Sequence, residues 1–289
     1  MKKSNQHILA GVILLVAAFL VSTLIFALVV MINKGGDDKS SELSSYLQED
    51  IVVDRVTIGS DTFFIEPIDT ETVAITGYTG SDVLHAVSIP EKLDGKKVVK
   101  IAKGAFMNKT SITAVAFPKT LETIEPYAFT GCLGLKTLTI PNSISSIGEG
   151  AFSLCASLET VIFADGTAMT EIAERTFMGC SSLESIVIPG EIEKIGESAF
   201  ARCAGLTDLT IEDGVKTISS WAFLECTKLE TVVISASVTT FEADEQGRPY
   251  AFGGCENLYL DGITCPAGSA AETYFRDVLA LAESAPVKE

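Results

Sequence analysis

IGEGAFSLCASLETVIF, at residues 147–163, and IGESAFARCAGLTDLTI, at residues 195–211, decide the fold of this 289-residue chain. The two segments share their Ile, Gly, Ala, Phe, Cys and Leu positions, so they are copies of one unit. A phenylalanine marks the same phase in seven successive copies: Phe106, Phe129, Phe152, Phe177, Phe200, Phe223 and Phe252. Self-similarity with a period of about 20–50 residues is typical of solenoids and related repeat architectures.

The spacing of these phenylalanines predicts the local structure of each unit. Most steps are 23 residues, but Phe152 to Phe177 spans 25 and Phe223 to Phe252 spans 29. The pattern Leu-x-x-Leu-x-Ile alternates like a short strand, and we expect Ala-Phe-x-x-Cys to form a turn or a helical fragment. One unit cannot bury its apolar side chains alone, so we expect the units to stack and align their strands in one parallel sheet. The extra residues, within 164–171 and 241–250, predict loops on one edge.

At these residues the chain resembles the BspA-type (Treponema-type) leucine-rich repeats of bacterial surface proteins. The resemblance covers residues 84–265, with Lys109 in place of the repeated cysteine and two insertions as departures. It implies a curved solenoid displayed outside the cell, which in some members binds proteins or host surfaces. The fold class that we predict is an α/β repeat, namely a leucine-rich-repeat solenoid with a parallel sheet and seven units in residues 101–264.

The amino terminus predicts a membrane anchor. Residues 8–32 contain no charged side chain, and about 20 apolar residues suffice for a helix to span a bilayer. A cleaved signal peptide, the alternative, has a shorter apolar core and a small-x-small cleavage site, which VVMINK does not provide. We therefore expect a short cytoplasmic tail at residues 1–7, a single-pass anchor and a flexible tether at residues 33–50. The flanking lysines are nearly balanced, so the distribution of charge does not decide the orientation. We expect the repeat domain on the extracytoplasmic side because the anchor looks like an extended signal sequence with an MKK start.

The two ends of a repeat array must hide its apolar core. Residues 51–100 contain short β-branched and aromatic segments between Gly, Asp and Ser, which predict a β-rich amino-terminal cap. Residues 265–289 predict a helical carboxy-terminal cap and tail, in which Ser269 and Glu272 form a capping box.

Composition narrows the range of partners. The chain carries 21 basic and 38 acidic side chains, a net charge of −17 at pH 7. Such a surface repels phosphate backbones, which argues against nucleic acid as a partner. The acidity either keeps an exposed, elongated protein soluble or receives a basic partner or divalent cations. We expect a monomer.

The cysteines share one position of the repeat. We favour the interpretation that these cysteines are buried in the core as small apolar side chains, one above the other in successive units, and we call this arrangement the thiol ladder. Disulfides between neighbouring rungs, and a separate Cys255–Cys265 bridge, are the alternatives. Metal binding is disfavoured because no Cys-x-x-Cys pair accompanies them. Six of the seven cysteines of the chain stand at this position: Cys132, Cys155, Cys180, Cys203, Cys226 and Cys255.

No catalytic constellation stands out. The two histidines of the chain are His7 and His85, and a hydrolytic triad needs a base beside its nucleophile. We expect His85 to be solvated in a turn. No glycine-rich phosphate-binding motif lies between a strand and a helix, so we predict no enzyme, no cofactor and no metal site.

The outward positions of the predicted strands are the candidate binding residues. They form a flat face of small and β-branched side chains beside a margin that includes Glu159, Glu184 and Glu230. This face is either a solvated sheet with good strand propensity or a docking surface for an extended protein or a glycan. Three aromatic residues near the last units could add to it: Trp221, Tyr250 and Tyr259. The face itself consists of two columns: Thr137, Thr160, Ser185, Asp208 and Thr231, and Thr139, Ile162, Val187, Thr210 and Val233.

These observations predict a membrane-anchored, extracytoplasmic binding module for an unknown protein or glycan ligand, similar to an adhesin. The alternative is a structural protein that organises partners within its own membrane.

Overall fold

The computed structural model describes residues 54–283. The predicted tail at residues 1–7, anchor at 8–32 and tether at 33–50 lie outside the described residues. Among the helices that are described, none is both long enough and apolar enough to cross a membrane.

The described chain is built from short strands, joined by turns, and ends in one helix. The amino-terminal strands are β1 (Arg55–Ile58), β2 (Asp61–Pro67), β3 (Thr72–Thr79), β4 (His85–Ser88), β5 (Lys92–Leu93) and β6 (Lys96–Ile101). The longer repeat strands are β7 (Ile112–Ala116), β9 (Thr137–Ile140), β11 (Thr160–Phe163), β13 (Ser185–Ile188), β15 (Asp208–Ile211) and β17 (Thr231–Ile234). The two-residue strands are β8 (Thr123–Ile124), β10 (Ser146–Ile147), β12 (Glu171–Ile172), β14 (Lys194–Ile195), β16 (Thr217–Ile218), β18 (Thr240–Phe241) and β19 (Ile263–Thr264). The helix is α1 (Ala270–Glu283).

Each unit contributes to two parallel sheet faces, not to the single sheet that the sequence predicts. The longer strands pair in the orders β4-β7-β9-β11 and β13-β15-β17-β19 and form the strand face. The two-residue strands other than β19 form a second face, in the orders β6-β8-β10, which begins at the longer β6, and β12-β14-β16-β18. Both faces divide where the 25-residue step occurs. Two residues are too few for an alternating pattern, so the second face leaves no clear signal in the sequence.

The third side of each unit is a series of turns. This corrects the expectation of an α/β repeat, because the Ala-Phe-x-x-Cys segments are turns and not helical fragments. The backbone N–H of Phe129 donates to the carbonyl of Ala151 in the next unit at 2.7 Å, and Phe200 donates to Ala222 in the same way. The N–H groups of an α-helix bond within the helix itself, so a helix could not link neighbouring units in this manner. Several residues in these turns adopt the left-handed backbone conformation. Leu154, for example, has a φ of 58°.

The core is a continuous stack of aromatic rings. The seven repeated phenylalanines lie with ring centroids 4.7–5.7 Å apart, and Tyr78 extends the stack at its amino-terminal end. The predicted thiol ladder is confirmed beside it, because five cysteines are buried, Cys255 is half-buried and all seven are free. Each ladder thiol donates to the carbonyl of the phenylalanine one unit earlier, as Cys132 Sγ does to Phe106 at 3.1 Å.

Strands and a helix cover the two ends of the stack. At the amino-terminal end β1, β2 and β3 form an antiparallel set, and Phe63 packs on Tyr78 with centroids 5.5 Å apart. Strand β4 pairs with β7, so the strand face begins at His85. At the other end Ser269 caps the amino terminus of α1, and its Oγ accepts from the N–H of Glu272 at 3.1 Å.

Candidate binding face

The strand register brings the predicted columns together. Thr160 pairs with Thr137, and Asp208 pairs with both Ser185 and Thr231. Every predicted member of this column is exposed. Because successive side chains of a strand alternate between its two sides, the residues between these positions point into the core. The sheet thus holds the candidate residues on a rigid surface.

The second column contains three exposed apolar side chains, together with two threonines. Ile162 pairs with Thr139, and Thr210 pairs with Val187 and Val233. Ile162 is 53% exposed, Val187 52% and Val233 36%, while Thr210 is half-buried. Threonine would satisfy the strand preference at these positions without exposing as much hydrocarbon. The column is therefore the most apolar part of this exposed face.

Beside the first column, on the side away from the apolar column, runs an acidic margin, which we define as Glu159, Glu184, Glu230 and Asp261. All four are exposed. Glu159 lies 3.8 Å from the Nζ of Lys136, an exposed and weak ion pair. The ion pairs found within residues 54–283 give the other three carboxylates no basic partner.

A cavity of about 410 Å³ lies at the carboxy-terminal end of the margin, lined by Glu230, Asn257, Tyr259, Asp261 and Gly262. A single 3₁₀ turn at Leu260–Gly262, just before β19, forms one side of this cavity. Gly262 packs so closely on the preceding unit that a Cβ there would lie 2.0 Å from the carbonyl oxygen of Glu230. Any other residue would therefore displace this turn.

Sequence reasoning found Tyr259 but missed the cavity. The available signal is a spacing change: Leu229 stands three residues before Val232, whereas Leu258 stands five before the partner of Val232, Ile263. The last unit therefore has two extra residues at the start of its strand.

The other two aromatic candidates lie elsewhere. Trp221 and Tyr250 each stand two residues before a stacked phenylalanine, so they belong to the turn side and not to the strand face. Trp221 is half-buried with φ of 58°. Tyr250 is exposed, and the guanidinium of Arg248 lies 4.9 Å from its ring centroid. Of the three predicted aromatic residues, the structure places only Tyr259 beside the margin.

The loop at residues 241–250 is held by one carboxylate. Asp244 accepts from the backbone N–H groups of Gln246 and Arg248 and from Arg248 Nε, each at 2.9 Å. Burial alone would raise the pKa of Asp244, but these hydrogen bonds outweigh it and hold the pKa below its usual range. The insertion is thus an ordered loop.

His85 is half-buried at the start of β4. This corrects the expectation that it is solvated in a turn. Its Nε2 lies 2.8 Å from the hydroxyl of Tyr78, and its Nδ1 lies 2.8 Å from the carbonyl of Val83. The Tyr78 hydroxyl donates to Asp61 Oδ1 at 2.6 Å, and burial together with this bond raises the pKa of Tyr78. The hydrogen bonds among these three side chains link β2, β3 and β4 to one another.

Within residues 54–283 no group of three His, Cys, Asp or Glu side chains is arranged to hold a metal ion.

The thiol ladder allows a direct chemical test. Burial raises the pKa of Cys132 and of Cys203 to about 12, so these groups stay protonated at pH 8, and only the thiolate is a nucleophile. We expect a disulfide reagent of the Ellman type to modify at most two thiols of the folded chain at pH 8, namely the half-buried Cys255 and Cys265. In denaturant all seven should react. More than two fast thiols, counted by intact mass, would contradict the buried ladder.

Comparison with known proteins agrees with this architecture. The sequence matches the family model described as "BspA type Leucine rich repeat region" in six copies, over residues 80–170, 99–224 and 170–268. The chain belongs to the BspA-type leucine-rich repeat family. No curated protein matches this BspA-type chain.

Solved structures include two informative relatives. The T. pallidum leucine-rich repeat protein is 30% identical, with 70% of this chain and 78% of that chain covered and a TM-score of 0.49. A leucine-rich repeat protein from Eubacterium ventriosum is 21% identical, with 71% of this chain covered and a TM-score of 0.58. The BspA-type chain spans 50% of the latter protein, and this likeness shows the fold alone.

Proposed function

We propose that this BspA-type protein is a membrane-anchored, extracytoplasmic binding module that takes a protein or glycan ligand on its strand face, as an adhesin does. The observation that carries the proposal is the exposed apolar column of Ile162, Val187 and Val233. Clusters of exposed apolar side chains with polar neighbours are characteristic of interaction surfaces, and these three lie in one column of the strand face. The sheet fixes their positions before a ligand arrives, which lowers the entropy lost on binding. The proposal gives the chain no catalytic role.

The anchoring part of the proposal rests on sequence. The uncharged run at residues 8–32 is long enough to span a bilayer. The polar segment at residues 33–50 would then separate the repeats from the membrane surface.

Binding by the full chain tests the proposal. The full-length protein, purified in detergent, is applied to arrays of extracellular-matrix proteins and surface glycans. The double variant Ile162→Ser/Val187→Ser should bind its ligand at least about tenfold more weakly, because about 1.4 kcal/mol of contact is lost. The matched control is Val83→Ser/Leu84→Ser, since these side chains are also large, apolar and even more exposed, but lie outside the two columns.

Equal loss in both double variants would contradict the strand face as the binding surface. Crosslinking in cells separates the alternative function, because an envelope scaffold would capture partners from its own membrane.

A further inference from the structure

We infer that the strand face receives a basic, extended polypeptide segment, whose Lys or Arg side chains lie along the acidic margin and one of which enters the cavity at Tyr259. This inference rests on the proposed function and narrows its ligand from protein or glycan to a basic polypeptide.

Uncompensated charge is the first reason. Glu184, Glu230 and Asp261 have no basic partner among the ion pairs of residues 54–283, and the whole chain carries −17. Carboxylates on one edge of a surface favour a partner of opposite sign and speed its approach. A neutral glycan would leave these charges without a counterpart, and an acidic protein would be repelled.

The second reason is the shape of the face. The strand face contains six strands from β9 onward (β9, β11, β13, β15, β17 and β19), and paired neighbours lie about 4.8 Å apart. Strands β11 and β13 are in contact but not paired, so the six strands span about 24 Å or slightly more. A fully extended segment of about seven residues has this length. Alternate side chains of such a segment point to opposite sides, so one set can contact Ile162, Val187 and Val233 while long basic side chains of the other set extend across the first column to the margin.

The cavity supplies the third reason. It is an open depression of about 410 Å³ whose lining includes two acidic residues, Glu230 and Asp261, and the amide residue Asn257. Tyr259, which is 65% exposed, also lines it. Carboxylates accept charge-assisted hydrogen bonds from guanidinium or ammonium groups, and an aromatic ring attracts the same cations. An arginine or lysine side chain carries the positive charge and the N–H donors that these residue types favour.

The test measures binding of two labelled ten-residue peptides to the full-length protein by fluorescence anisotropy. One peptide alternates Lys with Val, and the other alternates Glu with Val. We expect saturable binding of the Lys peptide alone, weakened at least about tenfold when NaCl is raised from about 50 to 500 mM, because salt screens exposed charges. The variant Glu184→Lys/Glu230→Lys should lose at least about tenfold in affinity.

A matched control separates a site from general attraction. Glu191→Lys/Glu212→Lys changes the net charge equally at two exposed positions in the turns that follow β13 and β15, and it should bind the Lys peptide like the unaltered protein. Equal weakening by both pairs would overturn the inference, since the peptide would then be attracted by overall charge.

The inference and the proposed function can fail separately. Suppose that the Lys peptide does not bind, but that a neutral glycan or an acidic protein does, and that Ile162→Ser/Val187→Ser weakens this binding. The inference of a basic ligand is then wrong, while the proposed binding function is supported. If no array component and neither peptide binds, both fall.

Discussion

Replacing Phe200 with alanine is expected to lower the free energy of unfolding by about 3–5 kcal/mol. Phe200 is fully buried. Its ring stacks on Phe177 at 5.2 Å and on Phe223 at 5.3 Å. The substitution therefore removes contacts to both neighbouring units and leaves a cavity between them. Each unit depends on its neighbours to bury its apolar side chains, so the loss should affect the whole array and not one unit.

Urea denaturation of the full chain measures this effect. Trp221 is the single tryptophan and stands two residues before Phe223, so its fluorescence reports unfolding next to the substitution, while far-ultraviolet circular dichroism reports the sheets. Tyr259→Ala serves as the control, because an exposed aromatic side chain should cost less than about 1 kcal/mol. Similar losses for the two variants would show that the phenylalanine stack does not stabilise the fold as described.

Removing the aromatic side chains of α1, in the variant Tyr274→Ala/Phe275→Ala, is expected to destabilise the last unit by at least about 3–5 kcal/mol and to cause self-association. The ring of Tyr274 lies 4.0 Å from that of Phe241, and the ring of Phe275 lies 5.0 Å from that of Phe252. The hydroxyl of Tyr274 also accepts from the N–H of Phe252 at 3.2 Å. The variant would expose Phe241 and Phe252 and leave this buried N–H without its partner.

Light scattering after gel filtration detects the association, and Trp221 fluorescence in urea detects the early loss of the last units. Arg276→Ala is the control on the same helix. Arg276 is exposed and pairs with Glu272 at 2.8 Å, and such a pair contributes about 0.5 kcal/mol or less. A monomeric, equally stable double variant would mean that α1 does not close the core.

The repeated, buried positions could be predicted from the sequence because each of them recurs. Phe200, Cys203 and Leu206 each have counterparts at a fixed offset in other units, and recurrence reveals a side chain that must fit the same environment each time. The same recurrence located Ile162 and Val187 as outward positions of the strand face. The ladder of thiols follows from this pattern as well.

Features that occur only once in the chain, or that depend on a left-handed backbone conformation, could not be predicted from the sequence. The hydrogen bonds of His85 with Tyr78 and Val83 depend on how β3 and β4 meet, which no repeat records. The turn side depends on residues with positive φ, and leucine, arginine and tryptophan adopt it here as glycine does, so composition gives no warning. The cavity beside Tyr259 arises from two extra residues in one unit.

The stacking of Phe252 on Phe223 has a consequence for how such a protein can change. Their centroids are 4.9 Å apart, within the range of the other steps, although 29 residues rather than 23 separate them. The number of residues between two stacked phenylalanines therefore does not set the distance between their rings, because the additional residues form the surface loop that Asp244 holds. Lengthening a surface loop costs little entropy. This edge is accordingly a natural position for grafting foreign peptides, and length variation there would leave the core register unaltered.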